Sequence, residues 1–231
     1  MEQIFLDRRL AAAAGLVRPD SRAADIGCDH GKLSVFLVQQ NICKKVIAAD
    51  LRPGPLAAAK ALVAECGLTD RIDCRLGDGL SVVAPGEAEE IIIAGMGGET
   101  IAGILERADW TRDKALGFVF VPATCHTFLR RWLYENGFAL TEELPVEQSG
   151  HWYTVMRAVY TGNAYTPEEA FCAAGLHLGR RTAETGGYLS TVLYRLRREL
   201  SGKRQAGRYG DLAPLEALCK TIEKEVEACL V

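Results

Sequence analysis

Five short apolar segments alternate with helix-forming stretches from residue 23 onward. The predicted strands are 23–26, 45–50, 72–76, 90–95 and 116–121, and helical patterns follow all but the third of them. Near-continuous apolar strands joined by helices form a parallel sheet that is covered on both faces. Two further strand patterns, 138–148 and 151–160, flank a Ser-Gly pair and predict an antiparallel hairpin. We therefore predict an α/β, Rossmann-like sheet that ends in a hairpin.

The pattern changes after Gly162, where strand signals stop and helical spacing takes over. Apolar residues three and four apart form two stripes separated by a Gly-containing loop, which predicts an antiparallel helical pair. The stripes are Leu189, Leu193, Leu196 and Leu200, then Leu215, Leu218, Ile222 and Val226. We predict two domains, a Rossmann-like domain over 1–162 and a small helical, coiled-coil-like domain over 163–231.

Composition narrows the class of protein. The first residues lack the basic-then-apolar order of a secretory signal, and no apolar run approaches the roughly 20 residues that span a bilayer. We therefore expect a cytoplasmic protein without a membrane partner. Eight cysteines are scattered singly with no CxxC pair, which predicts buried thiols and no metal site. These features specify no oligomeric state.

The segment DIGCDHG, Asp25–Gly31, follows the first predicted strand and precedes a helix. A nucleotide-like cofactor lies against the backbone at such a turn, which requires small residues such as Gly27 and Gly31. The dinucleotide fingerprint GxGxxG is absent, and the acid-x-Gly-x-x-x-Gly spacing is typical of S-adenosylmethionine sites. The turn predicts that cofactor, and the alternative is a tight strand–helix turn with incidental glycines.

Two more acids follow the next two predicted strands. Asp50, next to Leu51, ends the second strand, where a carboxylate accepts hydrogen bonds from both ribose hydroxyls of an adenosyl group. Asp78, next to Gly79, is placed to accept from the adenine amino group. The alternatives are a helix N-cap for Asp50 and a common Asx-Gly turn for Asp78. Three acids after three successive strands favour the cofactor site.

The segment AGMGGE, Ala94–Glu99, lies at the carboxyl end of the fourth predicted strand. Ligands of open parallel sheets bind at this edge. We predict that Gly95 and Met96 contact the cofactor, and that Gly97 and Gly98 leave room for a planar substrate. The alternative is that these glycines serve close packing of helix and strand.

Asp29 and His30 are the ionisable pair inside the first loop. Asp29 stands where many methyltransferases have a glycine, so we predict that it faces the cofactor or the substrate as a hydrogen-bond acceptor or base. His30 is the second candidate catalytic residue, and a solvated surface histidine is its alternative.

The predicted helical tail is basic although the whole chain has a formal charge of −3. Between Gly175 and Gly210 eight cations stand against two acids, Glu184 and Glu199: Arg180, Arg181, Arg195, Arg197, Arg198, Lys203, Arg204 and Arg208. Such density is typical of a phosphate-binding surface, and we predict that Arg195, Arg197, Arg198, Lys203 and Arg204 bind a nucleic acid. The alternative is a solvated face paired with acids of the first domain.

The chain resembles a known family, the bacterial tRNA (adenine(22)-N1)-methyltransferases, called TrmK. The resemblance rests on RLAAAAGLV (9–17), DIGCDHGKLSVFLVQ (25–39), AADLRPGPLAAAK (48–60), RLGDGLSVV (75–83), IIIAGMGGETIAGIL (91–105) and LRRWLYENGF (129–138). It implies a class I methyltransferase fold with a small helical domain, S-adenosylmethionine as cofactor, and methylation of N1 of adenine 22 in tRNA.

Two departures concern the substrate more than the cofactor. Relatives usually read Gln-Pro-Asn after the fifth strand, and this chain reads Val121-Pro122-Ala123; Cys28 stands where Ser or Thr is common. The alternatives are therefore a methyltransferase that acts on a small molecule or a protein, and a non-catalytic relative that binds the cofactor or RNA.

Overall fold

The computed structural model describes residues 4–207, 210 and 212–230, so that Arg208 and the predicted helix start at Asp211 lie outside the described part. The strands are β1 Ser21–Ile26, β2 Cys43–Asp50, β3 Ile72–Leu76, β4 Glu90–Ala94, β5 Gly117–Val121, β6 Phe138–Gln148 and β7 His151–Tyr160. The helices are α1 Arg8–Gly15, α2 Lys32–Gln39, α3 Pro53–Glu65, α4 Gly98–Glu106, α5 His126–Glu135, α6 Glu169–Ala174, α7 Ala183–Gln205 and α8 Leu212–Glu227.

All seven strands form one sheet in the order β3-β2-β1-β4-β5-β7-β6. The first five are parallel, and β7 pairs antiparallel with both β5 and β6. This arrangement confirms the predicted Rossmann-like sheet with a closing hairpin. The strand order reverses at β1, between β2 and β4, and this switch opens a crevice at the carboxyl ends of the strands.

The middle of β4 and the whole of β5 are apolar because both faces of the sheet are covered there. In β4, Ile91 and Ile93 pack in the core on one side of the sheet, and Ile92 packs on the other. In β5, Phe118 and Phe120 share the side of Ile91, while Val119 shares that of Ile92. Alternation of side chains along a strand thus explains why these runs carry no polar position.

Helix α1 was not assigned from the sequence. The Asp7 side chain caps it by accepting from the Leu10 amide at 2.9 Å, and Ala13 and Ala14 are buried. These small residues allow the helix to pack against the face of the sheet that carries the Val119 side chain. The run of alanines favours a helix by propensity, but its apolar face is too short to give a clear periodic signal.

The tail forms the predicted antiparallel pair. Leu189, Leu193 and Leu200 of α7 pack with Leu215 and Ile222 of α8 in a core of their own. Ion pairs join Arg197 to Glu223 and Arg204 to Glu216, so that the residue numbers of the two helices run in opposite directions. Among the residues that the structure describes, no helix has the length and apolar character to cross a membrane.

A buried guanidinium joins the tail to the sheet. Arg130 of α5 is fully buried and donates from Nε to Glu143 Oε1 of β6 at 3.0 Å. Its other donors bind the carbonyl oxygens of Cys172 and Ala173 in α6 and the hydroxyl of Tyr188 in α7, at 3.1, 2.9 and 2.8 Å. Sequence reasoning missed this cluster because its members lie far apart along the chain.

Glu143 is also fully buried, and it accepts further hydrogen bonds. The Leu176 amide binds its Oε2 at 2.6 Å, and the Thr154 hydroxyl lies 3.2 Å from its Oε1. A Cβ atom at Gly175 would lie 1.8 Å from Glu143 Oε2, so only glycine allows the chain to pass this close. Burial of two charges costs several kcal/mol unless their partners are complete, and here they are.

We predict that Glu143→Ala lowers the free energy of unfolding by about 3–5 kcal/mol, because it leaves the Arg130 charge buried without a counterion. The matched control is Glu169→Ala, which removes the exposed partner of the neighbouring Arg131 and should cost at most about 1 kcal/mol. Urea unfolding measures both. Equal costs for the two variants would contradict a stabilising role for the buried pair.

Candidate active site

A cleft of about 750 Å³ opens at the carboxyl ends of the parallel strands, over the switch in strand order. It brings together most of the site residues that the sequence predicts. The lining includes Asp25, Gly27, Asp29, His30, Asp50, Leu51, Asp78, Gly79, Gly95 and Met96. Gly31, Gly97 and Gly98 do not line it, and the five predicted tail cations lie elsewhere.

Two glycines shape the turn after β1. Gly27 has φ +76°, and a Cβ there would lie 2.3 Å from Cε of Met96, so a side chain would collide with the cleft wall. Gly31 has φ +72° at the N-cap of α2, and its Cβ would lie 2.9 Å from that of Ala59 in α3. Gly27 therefore leaves room for the Met96 side chain in the cleft wall, whereas Gly31 lets α2 and α3 approach each other.

Asp25 lies at the end of β1 with its side chain buried. Its Oδ2 accepts a hydrogen bond from the Ser34 hydroxyl of α2 at 2.6 Å. Burial raises the pKa of Asp25 to about 6, the Ser34 hydrogen bond opposes this rise, and the nearby Asp50 charge adds to it. A positively charged ligand beside it would favour the ionised carboxylate.

Asp50 lies at the end of β2 and is 4% exposed. Its Oδ2 accepts from the Asp29 amide at 3.0 Å and its Oδ1 accepts from the Arg52 amide at 2.8 Å. These two bonds fix the plane of the carboxylate at the cleft, and each oxygen keeps a lone pair for a ligand. The N-cap of α3 is Arg52, so the predicted alternative role of Asp50 as that cap is not observed.

Asp29, His30 and Arg52 form an exposed cluster on the rim of the cleft. The Asp29 carboxylate lies 3.7 Å from His30 Nε2 and 3.5 Å from Arg52 Nη2. The backbone of Asp29 has φ +50°, a left-handed conformation that glycine adopts most easily. Asp29 therefore adopts this conformation at some cost in backbone strain.

Asp78 and Gly79 also line the cleft, after β3. The Asp78 side chain is exposed and lies 3.3 Å from Arg107 Nη2. Gly79 has φ +56°, and a Cβ there would be 3.0 Å from Ile104 of α4. The turn after β3 can therefore lie flat against α4 and leave space above it.

The three glycines after β4 fall into two groups by their surroundings. A Cβ at Gly95, which has φ +78°, would meet open space, and Met96 lines the cleft. A Cβ at Gly98 would lie 2.4 Å from the Cys125 carbonyl oxygen, and one at Gly97 3.0 Å from the Thr124 hydroxyl. Close packing against the segment after β5 accounts for Gly97 and Gly98, and their predicted contact with substrate stays a prediction.

Sequence reasoning missed two cleft residues of α1, Arg9 and Leu10. Arg9 pairs with Asp7 at 2.7 Å, and its guanidinium lies 4.7 Å from the centre of the Tyr153 ring in β7. The signal that could have found them is Asp7 followed by a run of alanines, a helix N-cap and helix. That pattern does not reveal that the helix packs beside the cleft.

The predicted tail cations lie on α7, and most of them have acidic partners. Arg197 pairs with Glu223 and Arg204 with Glu216 of α8, while Lys203 pairs with Glu199 one turn away. The acids thus belong to the tail itself, not to the first domain as the alternative supposed. Arg195 and Arg198 are exposed and have no acidic partner among the described residues.

The described residues contain no group of three or more His, Cys, Asp or Glu side chains that could hold a metal ion. Burial raises the pKa of the Cys28 thiol well above its usual range, so this cysteine beside the cleft is a neutral, packed side chain.

Comparison with known proteins shows the family of the chain. A methyltransferase-domain model matches residues 6–156. The Bacillus subtilis tRNA (adenine(22)-N(1))-methyltransferase is 37% identical over 68% of this chain, and the alignment spans 66% of that relative's length.

Two solved structures superpose over nearly the whole chain. The B. subtilis m1A22 tRNA methyltransferase TrmK is 28% identical with a TM-score of 0.79, over 99% of this chain and 98% of that one. A Streptococcus agalactiae protein of the NADB-Rossmann superfamily is 27% identical with a TM-score of 0.85, over 97% and 98%. The chain belongs to the methyltransferase-domain family and, within it, to the TrmK-like group.

Proposed function

We propose that this protein transfers the methyl group of S-adenosylmethionine to N1 of adenine 22 in tRNA. The observation that carries the proposal is the buried, oriented carboxylate of Asp50 at the switch point of the sheet, facing a cleft that the glycine turn at Gly27 also lines. Similarity to the B. subtilis tRNA (adenine(22)-N(1))-methyltransferase supports the choice of substrate.

The cleft suits an adenosyl cofactor in shape and charge. Asp50 would accept from the ribose hydroxyls, with Leu51 beside it, and Asp78 with Gly79 would face the adenine. Asp25 and Gly27 would lie beside the methionine part, where the ammonium and the sulfonium carry positive charge. That charge would stabilise the ionised form of the buried Asp25, whose pKa is raised to about 6.

S-adenosylmethionine supplies an electrophilic methyl group, so the protein has to position the acceptor in line with it. Adenine N1 has an unprotonated lone pair at neutral pH and needs no strong base, and positioning supplies most of the acceleration. The methylated base is cationic. Asp29, exposed on the rim of the cleft and near the end of β1, would stabilise this developing charge.

N1 lies on the Watson–Crick edge, so the base has to leave its pair or stack to reach the cleft. We infer that the unit 163–231 holds the tRNA through Arg195, Arg197, Arg198, Lys203 and Arg204 while the unit 1–162 carries out the transfer. A tRNA substrate is consistent with a protein that acts in the cytoplasm.

A second candidate is methylation of a small molecule or a protein. The apolar Val121 lines the cleft, and neither it nor Ala123 offers the side-chain amide of related enzymes. Incubation of the protein with S-adenosylmethionine and unmodified tRNA, followed by mass spectrometry of the nucleosides, separates the candidates. We expect 1-methyladenosine among the nucleosides, and mass spectrometry of nuclease fragments should place it at position 22; unmodified tRNA would overturn the proposal.

We predict that Asp50→Ala weakens S-adenosylmethionine binding by about tenfold or more, because two charge-assisted hydrogen bonds are lost. Asp73→Ala is the control, since this exposed carboxylate on the neighbouring strand β3 lies outside the cleft lining. Isothermal titration calorimetry measures both affinities. An Asp50 variant with unchanged affinity would remove this residue from the cofactor site.

We predict that Asp29→Asn lowers turnover much more than it lowers cofactor affinity, because the charge beside the product cation is lost. Asparagine tolerates the positive φ of the site, so the backbone is preserved. Asp20→Asn is a matched control, since Asp20 also has a positive φ, +62°, and lies outside the cleft. Single-turnover rates test this; an Asn variant as fast as the parent would show that Asp29 has no part in the transfer.

We predict that the double variant Glu216→Gln/Glu223→Gln binds tRNA more tightly, because it frees Arg204 and Arg197 for phosphates. The slope of log affinity against log salt should become steeper, by somewhat less than one unit per phosphate gained. Arg197→Ala/Arg198→Ala/Arg204→Ala should act in the opposite direction with cofactor affinity unchanged. Normal binding and methylation by this triple variant would make the tail a dimerisation or stability element.

A further inference from the structure

A second cavity, of about 240 Å³, lies where the sheet meets the tail. It is lined by Ala123 after β5, by His126 at the start of α5, by residues 150–153 at the turn into β7, and by Thr191 and Arg195 of α7. We call this cavity the junction notch. The cofactor cleft and the junction notch share no lining residue.

In the junction notch, the neutral ring of His126 forms a hydrogen bond with the cation Arg195. His126 Nε2 lies 3.0 Å from the Pro122 carbonyl oxygen, which can only accept, so this nitrogen carries the proton. Nδ1 is then the acceptor for Arg195 Nη1 at 3.3 Å. Burial, together with the charges of Arg130 and Arg195, lowers the pKa of His126 to about 3, so the ring stays neutral in neutral solution.

Arg195 therefore keeps its full charge while its position is restrained. Arg197 and Arg204 on the same helix are each neutralised by an acid of α8. Arg195 has no acidic partner among the described residues, and the side chain that holds it carries no charge. An oriented, uncompensated guanidinium in a cavity is suited to bind a phosphate group.

The indole ring of Trp152 forms the other wall. It is held against α7, where a Cβ at Gly187 would lie 2.2 Å from the ring. Tyr153, the next residue of β7, turns its ring to the opposite face of the sheet, where the guanidinium of Arg9 lies 4.7 Å from the ring centre. The Trp152 ring is half-buried, which leaves part of its surface for a ligand. An aromatic ring beside an arginine is a usual surface for a nucleotide, with stacking for the base and charge for the phosphate.

The junction notch and the cofactor cleft are close neighbours. Val121 lines the cleft and Ala123 the notch, and two residues span at most about 7 Å. Arg9 lines the cleft and also contacts Tyr153 of the notch. The Ala123 amide donates to the Met96 carbonyl at 2.8 Å, so the segments after β4 and β5 are joined. One strand of nucleic acid advances by about 3.4 Å per nucleotide when stacked, so one or two nucleotides bridge the distance between Val121 and Ala123.

We propose that the junction notch binds a nucleotide next to the methylated base of the RNA substrate, with its phosphate on Arg195 and its base against Trp152. This proposal rests on RNA being the substrate, as inferred above. It assigns a positioning role to a site at the junction of sheet and tail, separate from the chemistry in the cleft.

The first test compares Arg195→Ala with Arg22→Ala in binding of fluorescently labelled tRNA without S-adenosylmethionine. Arg22 is an exposed arginine at the start of β1, the opposite end of the sheet, so its loss controls for net charge. We expect about tenfold weaker binding for Arg195→Ala only, and a salt slope that is flatter by somewhat less than one unit. Arg195→Lys should keep the salt slope of the parent and recover part of the affinity. Equal behaviour of Arg195→Ala and Arg22→Ala would overturn the proposal.

The second test follows the fluorescence of Trp152 on addition of a five-nucleotide single-stranded RNA or of adenosine 5′-monophosphate. Stacking should quench the signal of the parent protein with the oligonucleotide, and Trp152→Phe should abolish that part of the quench. Thermal unfolding checks that the variants fold. A quench by the mononucleotide as strong as that by the oligonucleotide would point to a free nucleotide and overturn the proposed role.

The two proposals fail in different ways. If the parent protein methylates tRNA and Arg195→Ala does so equally well at limiting tRNA, the notch proposal is wrong and the proposed function stands. If the parent protein methylates no tRNA but binds the oligonucleotide through Arg195 and Trp152, the proposed function is wrong and the notch still binds RNA.

Discussion

The fully buried guanidinium of Arg130 sets how the helical tail lies against the sheet. A buried charge is tolerated only when every donor has a partner, and the partners of Arg130 come from β6, α6 and α7. Hydrogen bonds are directional, so any sliding of α7 along the sheet would break the bond to Tyr188 and leave a buried donor without an acceptor. Apolar packing between the tail and the sheet would not impose one position so strictly.

Helices α5 and α7 make a second contact, between His126 and Arg195, that depends on the contact between Arg130 and Tyr188. His126 and Arg130 are four residues apart on α5, and Tyr188 and Arg195 are seven residues apart on α7, so each pair shares one face of its helix. Once Tyr188 is bound to Arg130, Arg195 lies about two helical turns further on, beside His126. The buried contact thus places a charged side chain at the mouth of the junction notch.

The sequence could predict what depends on local pattern, and it could not predict what depends on distant partners. The strands could be predicted because short apolar runs such as Ile91–Ile93 are typical of buried strands. Asp50 could be predicted because it ends such a strand, β2. Arg130, Glu143 and Tyr188 gave no signal, since an arginine on a helix is ordinarily a surface residue. The partners of Arg197 and Arg204 depend on the register of α7 against α8, which apolar stripes specify only to within a turn.

The cations of the tail that remain without an acidic partner in the part of the chain that the structure describes are therefore not the ones that the sequence alone would indicate. Lys203 and Arg204 lie far along α7, and acids within the tail pair with both of them. Of the five predicted tail cations, Arg195 and Arg198 have no acidic partner among the described residues, and they are three residues apart on the surface of α7. Arg195 contacts His126 of α5, so this charge lies beside the sheet and not at the tip of the helical pair. A polyanion bound to Arg195 would have its bases near the ends of β4 and β5.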